Sequence, residues 1–184
     1  MVAMLFSFVF VTSLVFTFTT SHNATYPYPY GVTWVLGNSA NPSQLEPAGE
    51  GPYGTLYVAR VQVDGEWVPG KGYFRGRTFV AAVSFLGRVI KSADCQTLLR
   101  GGTKWVPLQK NSQISDDAVL AGYDPRTHER TYVCRGFIFA EGRPWLTVGK
   151  VLENYNVCRI PFDGEKSSNS FEVLEYSWSG KNHI

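Results

Sequence analysis

Apolar and polar positions alternate with period two through much of the chain. Tyr57, Ala59, Val61 and Val63 are interleaved with Val58, Arg60 and Gln62. Side chains two apart share one face of a strand, so this segment predicts an antiparallel strand with one apolar and one mixed face. Asp64-Gly65 follows as a hairpin turn. Residues 78–85 predict another strand, ending at Gly87, and 156–162 its counterpart, ending at Asp163-Gly164. The best helical stretch is 115–121, which opens with an N-cap and acids, but Gly122 and Pro125 hold it to about two turns. Residues 38–54, rich in Pro, Gly, Ser and Asn, predict loop.

The pattern occurs twice. Tyr57-Val58-Ala59-Arg60 returns as Tyr132-Val133-Cys134-Arg135, Gly70-Lys71 as Gly149-Lys150, and Ala48-Gly49 as Ala121-Gly122. Residues 80–87 match 157–164, and Gln96-Thr97-Leu98 stands where Glu172-Val173-Leu174 stands. Trp34, Trp105 and Trp178 mark a period of 71 and 73 residues. Each match is flanked by another at a consistent offset, so the chain divides into a first repeat at 34–104 and a second at 105–178. Residues 22–33 then form a flexible segment and 179–184 a tail. A unit of about 72 residues holds only a marginal core alone, so the two are expected to pack together. The fold class that follows is all-β: two tandem repeats of short antiparallel strands in a prism-like or sandwich-like domain.

The first 21 residues differ in kind, with no charged residue and an apolar run broken only by Ser and Thr. A secretory signal has an apolar segment of about 7 to 15 residues before small residues at the cut, and Thr19-Thr20-Ser21 supplies these. A spanning anchor needs about 20 apolar residues, which this run barely reaches. A cleaved signal over 1–21 and a secreted product are therefore expected, with membrane association following if the segment stays. Asn23-Ala24-Thr25 is an N-glycosylation sequon just beyond it, marking Asn23. Three cysteines allow at most one internal disulfide. Cys134 and Cys158 are the expected pair, since both lie at strand positions of the second repeat while Cys95 belongs to the first. The alternative is that all three are small buried hydrophobes.

Composition removes several classes of function. The 184 residues carry Lys+Arg 17 against Asp+Glu 15, a net +2, with the basic residues scattered; a nucleic-acid binder gathers them on one face. Residues 65–71 spell a phosphate-loop pattern, but Gly72 stands where its hydroxyl belongs and no helix follows. Residues 49–54 fit a dinucleotide pattern, with Pro52 inside it and no βαβ context. Only three histidines occur, His22, His128 and His183, and no nucleophile-elbow, zinc or paired-thiol spacing accompanies them. No enzyme activity, cofactor or metal is expected.

One feature repeats with chemical content. Glu50 precedes Lys71, and Asp124 precedes Lys150, each acid between the Ala-Gly and the Gly-Lys. A sugar's vicinal hydroxyls both donate and accept, so a carboxylate and an ammonium together can grip one diol. Trp67, Tyr53 and Tyr73 in the first repeat and Tyr123 and Trp145 in the second are near enough in sequence to cover its apolar face. Truncating either member of the pair is then expected to weaken binding while leaving stability nearly unchanged. Ordinary surface charges beside core aromatics are the plainer alternative.

The order Trp, Ala-x-x-Gly, Tyr-Val-x-Arg, Pro-Gly-Lys, strand, Gly turn and Glu-Val-Leu resembles the DM-nine repeat family, from Trp34 to Trp178. Trp105-Val106, Asp117-Ala118-Val119, Tyr132-Val133-Cys134-Arg135 and Phe171-Glu172-Val173-Leu174 carry the likeness most specifically. The family comprises invertebrate two-repeat proteins and the N-terminal module of natterin-like toxins. The resemblance implies an all-β fold, mannose-type glycan binding, dimerisation and recognition of microbial surfaces in innate immunity. It also implies that sugar contacts come from Asp124 with Lys150 and from Glu50 with Lys71. The chain departs from the pattern at Glu50-Gly51, where an Asp is usual, at Thr147-Val148 before Gly149, and at Gln96-Thr97-Leu98. The other class of function open to the same fold is a structural or membrane-associated interaction module that binds no sugar.

Overall fold

The structure, a computed structural model, describes residues 32–109 and 112–177. The signal-like segment, Asn23, Trp178 and the tail lie outside the described residues. In the first repeat the strands are β1 (Trp34–Leu36), β2 (Pro47–Gly51), β3 (Gly54–Val63), β4 (Glu66–Arg75), β5 (Thr78–Phe85), β6 (Arg88–Ser92) and β7 (Gln96–Leu98). In the second they are β8 (Thr103–Pro107), β9 (Leu120–Tyr123), β10 (Arg130–Ala140), β11 (Arg143–Leu152), β12 (Cys158–Pro161), β13 (Glu165–Ser168) and β14 (Phe171–Tyr176). The first sheet runs β1-β7-β3-β4-β5-β6 with β2 on β3; the second runs β8-β14-β10-β11-β12-β13 with β9 on β10. Strand for strand, the orders coincide. The second sheet opens at Thr103, two residues before Trp105.

Local chemistry sets these elements. Asp64-Gly65, Leu86-Gly87 and Glu141-Gly142 each hold two consecutive positive φ angles, the conformation that turns a chain back on itself in two residues without splaying the strands. Residues 115–121 form no helix: the Asp117 amide donates to Ser115 Oγ and the Ala118 amide to the Ser115 carbonyl. Ala118 then bridges Glu175, and β9 follows. A hydroxyl that captures its own neighbouring amides competes with helix formation. The expected loop at 38–54 instead carries two short 3-10 turns and β2. Pro47 is tolerated in β2 because it is the strand's first residue.

Both faces of β3 are covered, which the period-two reading did not foresee. Ala59, Val61 and Val63 join Phe79, Val83 and Phe85 in a core belonging to the first repeat. Val58 faces the other way, into a core shared with Val119, Ala121, Val133, Val148 and Leu174 of the second. The second repeat has its own core around Trp145, Val151, Ile160 and Phe171.

Two glycines let the repeats clasp each other. A Cβ on Gly49 would lie 2.0 Å from the Leu146 carbonyl oxygen, and one on Gly122 would lie 1.8 Å from that of Trp67. Leu146 and Trp67 each stand three residues before their repeat's Gly-Lys. The contact is therefore reciprocal: the Ala-Gly strand of each unit lies on the long hairpin of the other. The Arg of Tyr-Val-x-Arg has a matching role in both. Arg60 stacks on Trp34 at 4.1 Å and on Trp67 at 4.7 Å and donates to Gln96 Oε1 and the Ala121 carbonyl. Arg135 stacks on Trp105 at 4.4 Å and pairs with Glu172. Gln96 thus keeps the acceptor that Glu172 supplies in the second repeat.

Cys134 and Cys158 form a disulfide with Cα atoms 5.9 Å apart. Their strands, β10 and β12, flank β11, and a flat sheet would hold them at roughly twice the 4.8 Å strand spacing. The sheet is therefore strongly curled there. The matching positions of the first repeat are Ala59 and Ala81, both fully buried, and Cys95 is a buried free thiol.

Candidate functional site

Lys150 follows Gly149 on β11, and Gly149 leaves no room for a side chain because a Cβ there would lie 2.1 Å from the Arg159 carbonyl. That close approach draws β12 over β11 and encloses Lys150, which is 2% exposed. Its Nζ donates to Asp124 Oδ2 at 3.3 Å. Asp124 begins the turn after β9, where its Oδ1 accepts from the amides of Arg126 at 3.0 Å and Thr127 at 3.3 Å. Burial raises the Asp124 carboxyl, but those amides and Lys150 outweigh it, and the net pKa lies below the usual value. Burial lowers the Lys150 ammonium more than Asp124 and Glu165 raise it. The pair is charged, joined through Oδ2 and oriented by the turn amides on Oδ1.

The expected twin in the first repeat does not form. Lys71 occupies the equivalent place on β4 and is 9% exposed, but among the described residues no ion pair joins it to Glu50. The strand geometry explains the failure. Counted from the Ala-Gly of each repeat, the residue matching Asp124 is Gly51, while Glu50 matches exposed Tyr123 and projects from the opposite face of β2. Burial, with Lys91 nearby, pulls the Lys71 ammonium down to about 8.

Each lysine faces the other repeat. Lys71 Nζ lies 4.6 Å from the centre of the Phe162 ring, and Lys150 Nζ lies 5.8 Å from that of Phe85. Phe162 and Phe85 are themselves equivalent, Phe85 ending β5 and Phe162 following β12, each just before its turn. Both sites are thus built at the junction from two repeats. Sequence reasoning missed Phe85, Phe162, Arg159 and Glu165; the repeat offset held the signal, since the first three occupy the matched segments 80–87 and 157–164 and Glu165 follows directly. Arg159 Nη1 lies 3.6 Å from Glu165 Oε1, and both residues bear on the charge of Lys150.

Two of the expected aromatic covers are structural. Trp67 is engaged with Arg60, and Trp145 is buried, its Nε1 donating to the Ala140 carbonyl. Tyr53 and Tyr73 do meet, ring centroids 4.9 Å apart and nearly parallel, in a cleft of about 700 Å³ that also includes Lys71 and Phe162. The near-complete enclosure of Lys150 also overturns the expectation that truncating Asp124 would spare stability. Truncating Asp124 strands the nearly enclosed Lys150 charge, at a cost of about 3 kcal/mol or more.

The molecule is therefore an all-β protein of two clasped repeats, with a lysine site at each side of their junction. It belongs to the DM9 repeat family, whose model matches residues 52–179. Among solved structures it is similar to the nematode sperm cell motility protein MFP2B, with a TM-score of 0.55 and 14% identity over 84% of this chain and 48% of that one. The chain thus spans about half the length of that neighbour, and the likeness is one of fold. No curated protein matches it significantly.

Proposed function

We propose that the protein is a secreted carbohydrate-binding protein that grips a vicinal diol of a neutral, mannose-type glycan at Asp124 and Lys150, without transforming it. The observation that carries this reading is the pair itself. An acceptor and a donor, both charged and 3.3 Å apart, are held at the repeat junction with Asp124 partly open to solvent. Exposed Tyr123 adjoins Asp124 and offers a ring to the sugar's apolar face. The resemblance to glycan-binding members of the family, and microbial surfaces as the place to meet such glycans, point the same way. The Cys134–Cys158 disulfide suits an oxidising compartment and so supports secretion.

The test is calorimetric titration of methyl α-mannoside into the full chain, wild type and variants. One charged hydrogen bond contributes about 1.5 to 3 kcal/mol, so Asp124→Asn and Lys150→Met are each expected to lose tenfold or more in affinity. Asp124→Asn keeps an acceptor for the turn amides but strands the Lys150 charge, so each variant's far-ultraviolet circular dichroism is matched to wild type before titration. Equal affinity in wild type and both variants overturns the site. The second reading, an interaction module that binds no sugar, draws on the likeness in fold to MFP2B, a sperm cell motility protein. Absence of heat with mannoside and with a panel of other neutral glycans would favour it.

A further inference from the structure

The two lysine sites share a backbone and differ in charge. Beside Lys150 stand Asp124, Arg159 and Glu165; the matching positions beside Lys71 are Gly51, Ala82 and Arg88. A carboxylate is replaced by hydrogen, a guanidinium by methyl, and a second carboxylate by a guanidinium. Loss of the two bulky side chains opens the first site into the cleft of about 700 Å³. Among the described residues no ion pair joins Lys71 to a carboxylate, and Lys91 stands near enough to disfavour its charge.

We infer that this cleft is a second binding site, selective for saccharides that carry an anionic group, a carboxylate or a sulfate, seated on the Lys71 ammonium. Lys71 is nine-tenths buried, has no acidic partner among the described residues, and lines the cleft. An enclosed charge of this kind is costly until a counter-charge arrives, and the cleft is open enough to admit one. Lys91 and Arg88 add two further cations from β6. The two carboxylates of the lining, Glu141 and Asp163, are exposed turn residues. The sugar part of the ligand is argued from Tyr53, which is stacked on Tyr73 by one face and 61% exposed. Its free face is a platform for a pyranose ring next to the anion seat. This site stands independently of the neutral-sugar reading, since it uses none of the same side chains.

The test is made in the wild-type chain, and the Lys71 and Gly51 variants assign the heat to the first repeat's cleft. Glucuronate, glucose 6-sulfate, methyl glucoside and inorganic sulfate are titrated by calorimetry. Glucuronate or glucose 6-sulfate is expected to bind at least tenfold more tightly than methyl glucoside and than inorganic sulfate. Which of the two binds identifies the anion. Lys71→Met should remove at least tenfold of that affinity. Gly51→Asp provides a second route: a Cβ there meets only the end of the Leu56 side chain, at 3.2 Å, and the new carboxylate should neutralise Lys71 and erase the preference for acidic sugars. Methyl glucoside binding as tightly as glucuronate and glucose 6-sulfate overturns the anion claim. Inorganic sulfate binding as tightly as glucose 6-sulfate overturns the saccharide claim, and affinity unchanged in both variants overturns the location. Failure of mannoside binding in the parent protein leaves these outcomes untouched.

Discussion

Replacing Lys71 by Met should make the free protein more stable, whereas the same change at Lys150 should make it less so. Met keeps most of the length and apolar volume of the lysine stem, so the perturbation is chiefly the loss of a charge. For Lys71 the folded pKa is about 8 against 10.5 for an unburied lysine. Below pH 8 the ammonium is charged in both states, and the folded state bears the full cost of its burial. That cost is relieved as pH rises from 8 to 10.5. The gap corresponds, at about 1.36 kcal/mol per pKa unit, to about 3 kcal/mol at pH 7. Loss of the Phe162 contact takes back about 0.5 to 2 kcal/mol, leaving a net gain of about 1 to 2.5 kcal/mol for Lys71→Met. At Lys150 the change removes a paired charge and leaves Asp124 with only its turn amides, a loss of about 1 to 3 kcal/mol. The assay is urea unfolding at pH 7 and again at pH 9.5, with the slope held common to wild type and variants. The advantage of Lys71→Met should shrink at the higher pH. The groups facing Lys71 are Lys91 and Arg88 from β6, Tyr73 from β4, Tyr53 before β3, and Asp163 and Glu141 from turns of the second repeat. Only the difference between wild type and variant is read, so their own titration cancels to first order. A Lys71→Met protein less stable than wild type at pH 7, or an advantage that does not change with pH, would refute the account of an unpaired buried ammonium.

Two further outcomes test the fold. Replacing Cys134 and Cys158 together by Ala opens a crosslink spanning 24 residues, and loop-closure entropy puts the loss at about 3 kcal/mol. Urea unfolding of the double variant beside oxidised wild type checks this, and a change under 1 kcal/mol by the same reasoning would show that the reduced chain keeps that closure by itself. Gly122→Ala forces a methyl into the Trp67 carbonyl, whose oxygen lies 1.8 Å from the Cβ position. Its φ is not in the left-handed region, so any loss reports the clasp between repeats and not backbone strain. A drop in thermal midpoint of about 4 °C or more is expected by circular dichroism, and an unchanged midpoint argues against the clasp.

The duplication was the most legible feature of the sequence, and the reason is physical. Tyr-Val-x-Arg recurs because its Val enters the shared core and its Arg is held between a tryptophan and a side-chain acceptor, a combination few residues can replace. Asp64-Gly65 was equally plain, since paired positive φ angles leave a chemical mark. Less visible was β2, because a strand that pairs on one side only tolerates Pro and Gly and so reads as loop. The Ser115 turn misled in the opposite sense. An N-cap residue and a hydroxyl closing a non-helical turn are the same residue in sequence, and only the bridge from Ala118 to Glu175 decides between them.

The site was half legible for a related reason. Counting acids between two landmarks found Asp124 and Lys150, but at Glu50 it ignored the parity of the strand: a displacement of one residue moves a side chain to the other face. Gly51 holds the position on the Lys71 face, and glycine announces nothing. The phenylalanines were hidden more deeply, because each belongs to the repeat opposite the lysine it approaches, and no window along one unit contains both. This crossed construction has a consequence for how the two sites diverge. The residues that differ, Gly51 against Asp124, Ala82 against Arg159 and Arg88 against Glu165, fall outside the shared core and outside the reciprocal Gly49 and Gly122 contacts. Three substitutions in one unit are therefore enough to change the charge of a site while the clasp, the hairpins and both lysines stay in place. A tandem repeat that builds its sites at the junction can hold one chemistry on one side and another on the other, with the same backbone serving both.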